Sequence, residues 1–235
     1  MVYQDSDTII QILEYLKGPE LFMRILEASE DLTEFHIAGF IFHILTGLEY
    51  LHARRIVHLD LKPENIVCTD NETFNLKIID FGLARRLDGS DIRVMEGTAD
   101  FVSPEVVKYE SISTASDMWS LGVVAYILLT GLSPFLGDSK SETFENITSV
   151  RYTFEEKEFD PISESCKHFI SSFLHVEPSE RLSANQALNH PWILHRNRKN
   201  SAGFEKRNLR SYLARTRWIH ASKAVLHSSL KDPEK

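Results

Sequence analysis

Cysteine is close to absent. Cys68 and Cys166 are the only two in 235 residues, far apart and without metal-ligand spacing. That pattern excludes a disulfide framework and a cysteine-based zinc site. Basic charge is also short: 26 Lys and Arg stand against 34 Asp and Glu, a net charge of −8. A general nucleic-acid binder carries the opposite balance. The most apolar stretch, Gly122 to Leu132, falls far short of the ~20 residues of a membrane-spanning helix. The first residues, Met1-Val2-Tyr3-Gln4-Asp5, have neither the charged nor the apolar region of a signal peptide. Together these absences predict a reducing, cytoplasmic setting with no nucleic-acid partner and no membrane span.

What is present reads as globular. The chain is 43% hydrophobic and 26% charged, and at roughly 150 residues per domain its length suggests one or two domains. The charge is unevenly spread. Residues 1–194 hold 15 basic and 31 acidic side chains, a net of 15 − 31 = −16. Residues 195–223 hold 9 basic side chains and one acidic, Glu205, a net of 9 − 1 = +8. An acidic body with a basic tail marks an interaction segment.

Thr8 to Leu13 is β-branched and short, and predicts a strand. Gly18-Pro19 breaks the chain, and Glu20–Leu26 restarts it as a short helix. Thr33 is placed to cap a long amphipathic helix, with Glu34 in its first turn. Ile37, Ile41, Ile44, Leu48 and Leu51 follow helical spacing and predict its core face. Ile66–Cys68 and Leu76–Ile79 predict two short strands. Residues 80–113 show no long periodicity and predict an ordered loop region, a feature usually kept for function. A nearly all-apolar helix is expected over Ala115–Leu129 at the domain centre, with Thr114-Ala115-Ser116-Asp117 as its capping box. Further helices are expected over Ser141–Ser149, Ser163–Leu174 and Ser183–Leu188, with Asn189 to Trp192 closing the compact part.

Three clusters carry the chemistry: His58-Leu59-Asp60-Leu61-Lys62-Pro63-Glu64-Asn65, then Asp80-Phe81-Gly82, then Gly97-Thr98 ahead of Ser103-Pro104-Glu105. Each alone is a weak signal. In this order and strand-loop context they match the protein-kinase signature set. The chain resembles the larger lobe of eukaryotic serine/threonine protein kinases over Thr8 to Trp192. It is most like the myosin light chain kinase, titin and death-associated kinase group, which shares the His-Leu-Asp-Leu-Lys-Pro-Glu-Asn run and a regulatory tail. The fold expected is α+β and protein-kinase-like, mainly the helical larger lobe with short strands. Residues 1–17 would be a remnant of the small lobe and the hinge, 18–194 the larger lobe, and 195–235 a basic regulatory tail.

The resemblance implies ATP and Mg²⁺ as cofactors and a protein Ser/Thr hydroxyl as acceptor. Phosphoryl transfer needs positioning, charge neutralisation and an acceptor for the hydroxyl proton. Asp60 is the candidate acceptor. Lys62 can neutralise the transferring phosphate, and Asn65 and Asp80 offer oxygens to Mg²⁺. Thr98 matches the family threonine that hydrogen-bonds the catalytic Asp and Lys. Glu14-Tyr15-Leu16 resembles the hinge that binds adenine, with Leu13 lining the pocket. Glu20 matches a position that contacts ribose or a basic substrate residue, and Glu64 another that holds substrate arginine; both also read as surface carboxylates. His58 reads as packing and hydrogen-bonding support. Asp117 reads either as a helix-cap partner or as the family residue that holds the catalytic loop. Glu105 and Arg181 resemble the family's internal ion pair.

Two departures qualify the resemblance. Leu59 stands where many kinases have an Arg that pairs with a loop phosphate, and Leu83 to Glu96 offers only Ser90 as a phosphate acceptor. Control is therefore expected elsewhere, with the tail as candidate. The chain also shows no Gly-x-Gly-x-x-Gly and no Val-Ala-x-Lys-like strand ahead of the hinge, so these residues alone are expected to have negligible activity. The tail, 208–230, mixes Arg and Lys with Leu209, Leu213, Trp218, Val225 and Leu230. Such a basic amphipathic helix suits calmodulin, the acidic body or a membrane surface. The expected activity is that of a calcium/calmodulin-regulated Ser/Thr kinase acting on basic protein substrates, possible cytoskeletal association included. The competing reading is a kinase-like binding or scaffold module without catalysis.

Overall fold

The computed structural model describes residues 2–5, 8–27, 32–73, 75–155, 157–196, 203–204 and 208–216. Strands β1 (Val2–Gln4) and β2 (Ile9–Gln11) form an antiparallel ribbon. The sequence reading anticipated β2 but not β1. Next come α1 (Leu21–Glu27), β3 (Leu32–Thr33) and the long α2 (Glu34–His52). Short ladders then frame the loop with the first motif: β4 (Ile56–Val57) pairs with β7 (Arg85–Arg86), and β5 (Ile66–Cys68) with β6 (Leu76–Ile78). The region expected as loop also contains α3 (Pro104–Val107), whose Pro104 stands in its first turn.

Helix α4 (Thr114–Thr130) is the core. Every residue from Ser116 to Thr130 is buried, and Trp119 stacks on Phe135 with ring centroids 5.0 Å apart. Its start differs by one residue from the predicted capping box. Ser113 is the N-cap: its Oγ accepts from the Ala115 amide at 3.2 Å, and Ser116 Oγ accepts from the Ser113 amide at 3.4 Å. Asp117 takes no part in the cap because its carboxylate is turned to another segment. The chain continues through α5 (Lys140–Thr148), α6 (Glu164–Ser171), α7 (Ala184–Leu188) and α8 (Pro191–Leu194). The predicted cap at Ser183 is present, with Gln186 as its reciprocal partner.

Glu34, expected only to favour the helix start, does more. Its buried carboxylate accepts from the Ser163 amide and hydroxyl, at 2.9 and 2.6 Å, and from the Trp192 indole at 2.6 Å. It thereby joins α2, α6 and α8. Compactness does not end at Trp192. Strand β8 (Gly203–Phe204) pairs with β3, and a helix over 208–216, α9, lies on the body. Leu209 and Leu213 of α9 are 4% and 7% exposed and belong to the hydrophobic core. Gly131, the left-handed C-cap of α4 at φ 71°, receives the backbone of Asn208 and Leu209 where any Cβ would stand. No helix among the described residues is long and apolar enough to cross a membrane.

Candidate active site

The loop between β4 and β5 is held from below. Asp117 of α4 is fully buried and accepts from the amides of His58, at 2.9 and 3.1 Å, and Leu59, at 2.9 Å. His52, in the last turn of α2, approaches the same carboxylate at 2.9 Å. These bonds hold Leu59 at φ 67°, a left-handed conformation that costs a bulky residue about 1–3 kcal/mol. His58 is the support expected of it. Its Nδ1 accepts from the Asp60 amide at 3.3 Å, which leaves Nε2–H to donate to Ile79 C=O at 2.9 Å. Its ring meets Phe81 edge-on, with centroids 5.1 Å apart.

The side chains above form a closed ring. Lys62 Nζ donates to Asp60 Oδ2 at 2.7 Å and to Thr98 Oγ1 at 3.0 Å. The Thr98 hydroxyl donates to Asp60 Oδ1 at 2.9 Å. Asn65 spends its amide hydrogens on Asp60, at 2.8 Å to the C=O and 3.1 Å to Oδ2. The carboxylate is thus fixed in orientation while remaining 12% exposed, open to an incoming hydroxyl.

Asp80 sits at φ 61°, with Oδ1 accepting from the Gly82 amide at 3.1 Å. The preceding Ile79 amide donates to Asn65 C=O at 2.9 Å and ties this strand end to the loop. After these bonds Asn65 Oδ1 and Asp80 Oδ2 remain as oxygen acceptors. That donor set suits Mg²⁺, which takes one or two protein oxygens and completes its shell with water and phosphate. Among the described residues no cluster of three or more His, Cys, Asp or Glu could hold a metal alone.

The four residues expected at the nucleotide are not drawn into this ring. Leu13 is 77% exposed, Glu14 and Glu20 are exposed and Leu16 is half-buried. Glu14 pairs with Lys77 of β6. The segment is fixed at its far end, where the Lys17 amide donates to Thr69 C=O at 3.2 Å and the Cys68 amide to Pro19 C=O at 2.9 Å. Gly18 is required there, because a Cβ would stand 2.5 Å from the Cys68 and Asp70 carbonyl oxygens.

Behind the ring, Arg181 meets Glu105 in a buried fork, at 2.9 Å to Oε1 and 2.8 Å to Oε2, and Ser116 donates to Oε1 at 2.7 Å. Burial pushes the Glu105 carboxyl up, but the Arg181 bonds and charge outweigh it and hold it below its usual range. Sequence reasoning found this pair and missed His52. The available signal was a polar side chain ending the apolar stripe of α2.

The match to known proteins is extensive. The Protein kinase domain family model covers residues 1–193. Smooth muscle myosin light chain kinase of Gallus gallus is 43% identical over 226 residues, 95% of this chain and 12% of that protein. Myosin light chain kinase family member 4 of Homo sapiens is 48% identical over 192 residues, 81% of this chain and 50% of that protein. The chain therefore spans half or less of these curated relatives. A C. elegans twitchin kinase fragment superposes with a TM-score of 0.88 at 34% identity, covering 94% of this chain and 50% of that one. A titin structure, described as an autoinhibited serine kinase domain, gives 0.84 at 32% identity over 91% of this chain and 67% of that one. On sequence, fold and site alike, the chain belongs to the protein kinase domain family, with myosin light chain kinases among its relatives.

Proposed function

We propose that these residues are the larger lobe of a Mg-ATP-dependent Ser/Thr protein kinase. The observation that carries the reading is the Asp60–Lys62–Thr98 ring. Asp60 orients an acceptor hydroxyl and takes its proton as the oxygen attacks the γ-phosphorus and the bond to the ADP oxygen breaks. Lys62 offsets the charge of the transferring phosphate, and Thr98 keeps both groups aimed. Asn65 and Asp80 would hold Mg²⁺, which when bound neutralises the phosphates. The acidic body and Glu64 favour a substrate with basic residues.

The small-lobe clamp over the phosphates has no counterpart in these 235 residues, so alone they turn over negligibly. Fused behind the Gly-rich small lobe of a homologue, the chain phosphorylates a basic serine peptide, and Asp60→Asn abolishes this. An inactive fusion that still binds Mg-ATP removes the enzyme reading. It would favour a kinase-like binding module, to which the exposed Leu13 and Tyr15 are suited.

The tail is read as the regulator. Helix α9 lies on the body with Tyr212 edge-on to Phe22 of α1 at 5.6 Å. Burial, with the Glu64 and Asp100 carboxylates nearby, raises the Tyr212 hydroxyl pKa. Those two acids flank the catalytic loop and Thr98, where a substrate would approach. Calcium-calmodulin would compete the tail away. The anchors expected for it, Trp218, Val225 and Leu230, lie outside the described residues.

A further inference from the structure

A second concave site lies on α2, apart from the catalytic ring. It has a volume of about 220 Å³ and is lined by Phe35, His36, Gly39, Phe40 and His43 of α2 together with Asn75 and Arg196. Glycine inside a helix costs roughly 1 kcal/mol relative to alanine. Packing does not require it here, since a Cβ at Gly39 would meet nothing within 4 Å. The residue leaves space where a side chain would fill the groove.

The polar lining is donor-rich. His43 Nδ1 accepts from the Leu76 amide at 3.3 Å, so its proton sits on Nε2. His36 has Nδ1 committed to the Thr33 amide at 3.1 Å. Arg196 lies 3.8 Å over the Phe42 ring and spends one nitrogen on Ile193 C=O at 3.0 Å, leaving further N–H groups. Among the described residues none lining the groove is acidic, although the surrounding body is. Burial and the Arg196 charge both lower the His43 pKa, so the fixed positive charge among the described lining residues is Arg196, with the two imidazoles as neutral polar partners.

We infer that this groove docks a partner protein through an acidic peptide segment, taking one apolar side chain against Phe35 in the space left at Gly39 and one carboxylate between His43 and Arg196. Aromatic walls with a charge-assisted donor pair suit that combination. Charge complementarity selects it over a basic segment.

The probe is a fluorescein-labelled decapeptide with Phe flanked by two Glu, titrated into the full chain at low salt. Saturable binding is expected, weakened at least about fivefold by Glu→Gln or Phe→Ala in the peptide. Gly39→Leu, which puts a side chain into the groove, and Arg196→Gln each weaken it similarly. Binding tightens as pH falls below 6.5, where His43, its pKa lowered in the free chain, takes up a proton beside the carboxylate, with His36 and Arg196 the other charged or titratable groups among the described residues lining the groove. Amide shifts at Leu76 on peptide addition to the unmodified chain locate the site independently of any variant. No saturable binding up to about 1 mM, binding indifferent to Gly39→Leu in a folded variant, or shifts confined to another surface would overturn the assignment.

Discussion

Arg181 and His190 carry the sharpest residue-scale expectations. Removing Arg181 leaves Glu105 charged in a dry site, so Arg181→Ala is expected to cost about 3–5 kcal/mol in urea unfolding. Glu105 contributes stability above its ordinary value of 4.5, and that share is lost as pH falls through its lower native pKa. His190 acts earlier. Its Nδ1 accepts from the Trp192 amide at 3.2 Å and its Nε2 faces His168 Nδ1 at 2.9 Å. Both bonds need neutral rings, and burial with His168 lowers the His190 pKa below 6.5. The unfolded chain therefore takes up a proton first. Stability is full above about 6.5 and falls as pH drops toward the native value. His190→Asn keeps a capping oxygen without the titration; below about 6.5 the unmodified chain's unfolding midpoint should fall with pH more steeply than the variant's, and above it the two should run parallel. Equal slopes in acid would remove the histidine pair as the cause.

At the scale of the element, the cap of α4 and the seat of α9 are both single-residue decisions. Ser113→Ala should cost about 1 kcal/mol and Thr114→Ala much less, which calorimetry distinguishes. Gly131→Ala acts on α9 from the end of α4. A Cβ there meets Asn208 and Leu209 backbone and strains a positive φ, so trypsin should cut at Arg210 and Arg215 faster than in the unmodified chain. Helix α2 was legible because its apolar stripe repeats over many turns, and α4 because its apolar run is too long for a strand. The grouping of Asp60, Lys62 and Asn65 was legible because the three lie within six residues of one motif, whereas Thr98 joins them from 36 residues beyond Lys62. The β3–β8 ladder was not, since two-residue strands about 170 positions apart carry no local pattern. The His52–Asp117 bond was not either, as it joins two helices through polar residues with no shared motif. The shift of the α4 cap has the same origin: Asp117 fits a capping box locally, but its tertiary bonds win.

The whole molecule is a −16 body carrying a +8 segment, and of that segment β8 and α9 are seen to dock, β8 on β3 and α9 on the core. The opposite net charges of segment and body add long-range attraction to the apolar contact of α9, which predicts a mixed salt response. Raising salt to about 0.5 M should accelerate tail proteolysis only a few-fold, because Leu209 and Leu213 are not screened. Calcium-calmodulin should accelerate it much more, and the full chain should bind calmodulin only with calcium. Calcium-dependent affinity weaker than about 10 μM would leave the tail as a docked segment without that partner.

The two leucines have one more effect. Lifting α9 wets Leu209, Leu213 and the faces they cover, and wetting apolar surface raises heat capacity. Docking strength must therefore curve with temperature and weaken on cooling as well as on heating. A tail held by charge alone would lack that curvature. The latch is thus also a thermometer with a maximum, and proteolysis at Arg215 measured across a cold series reads where the maximum lies.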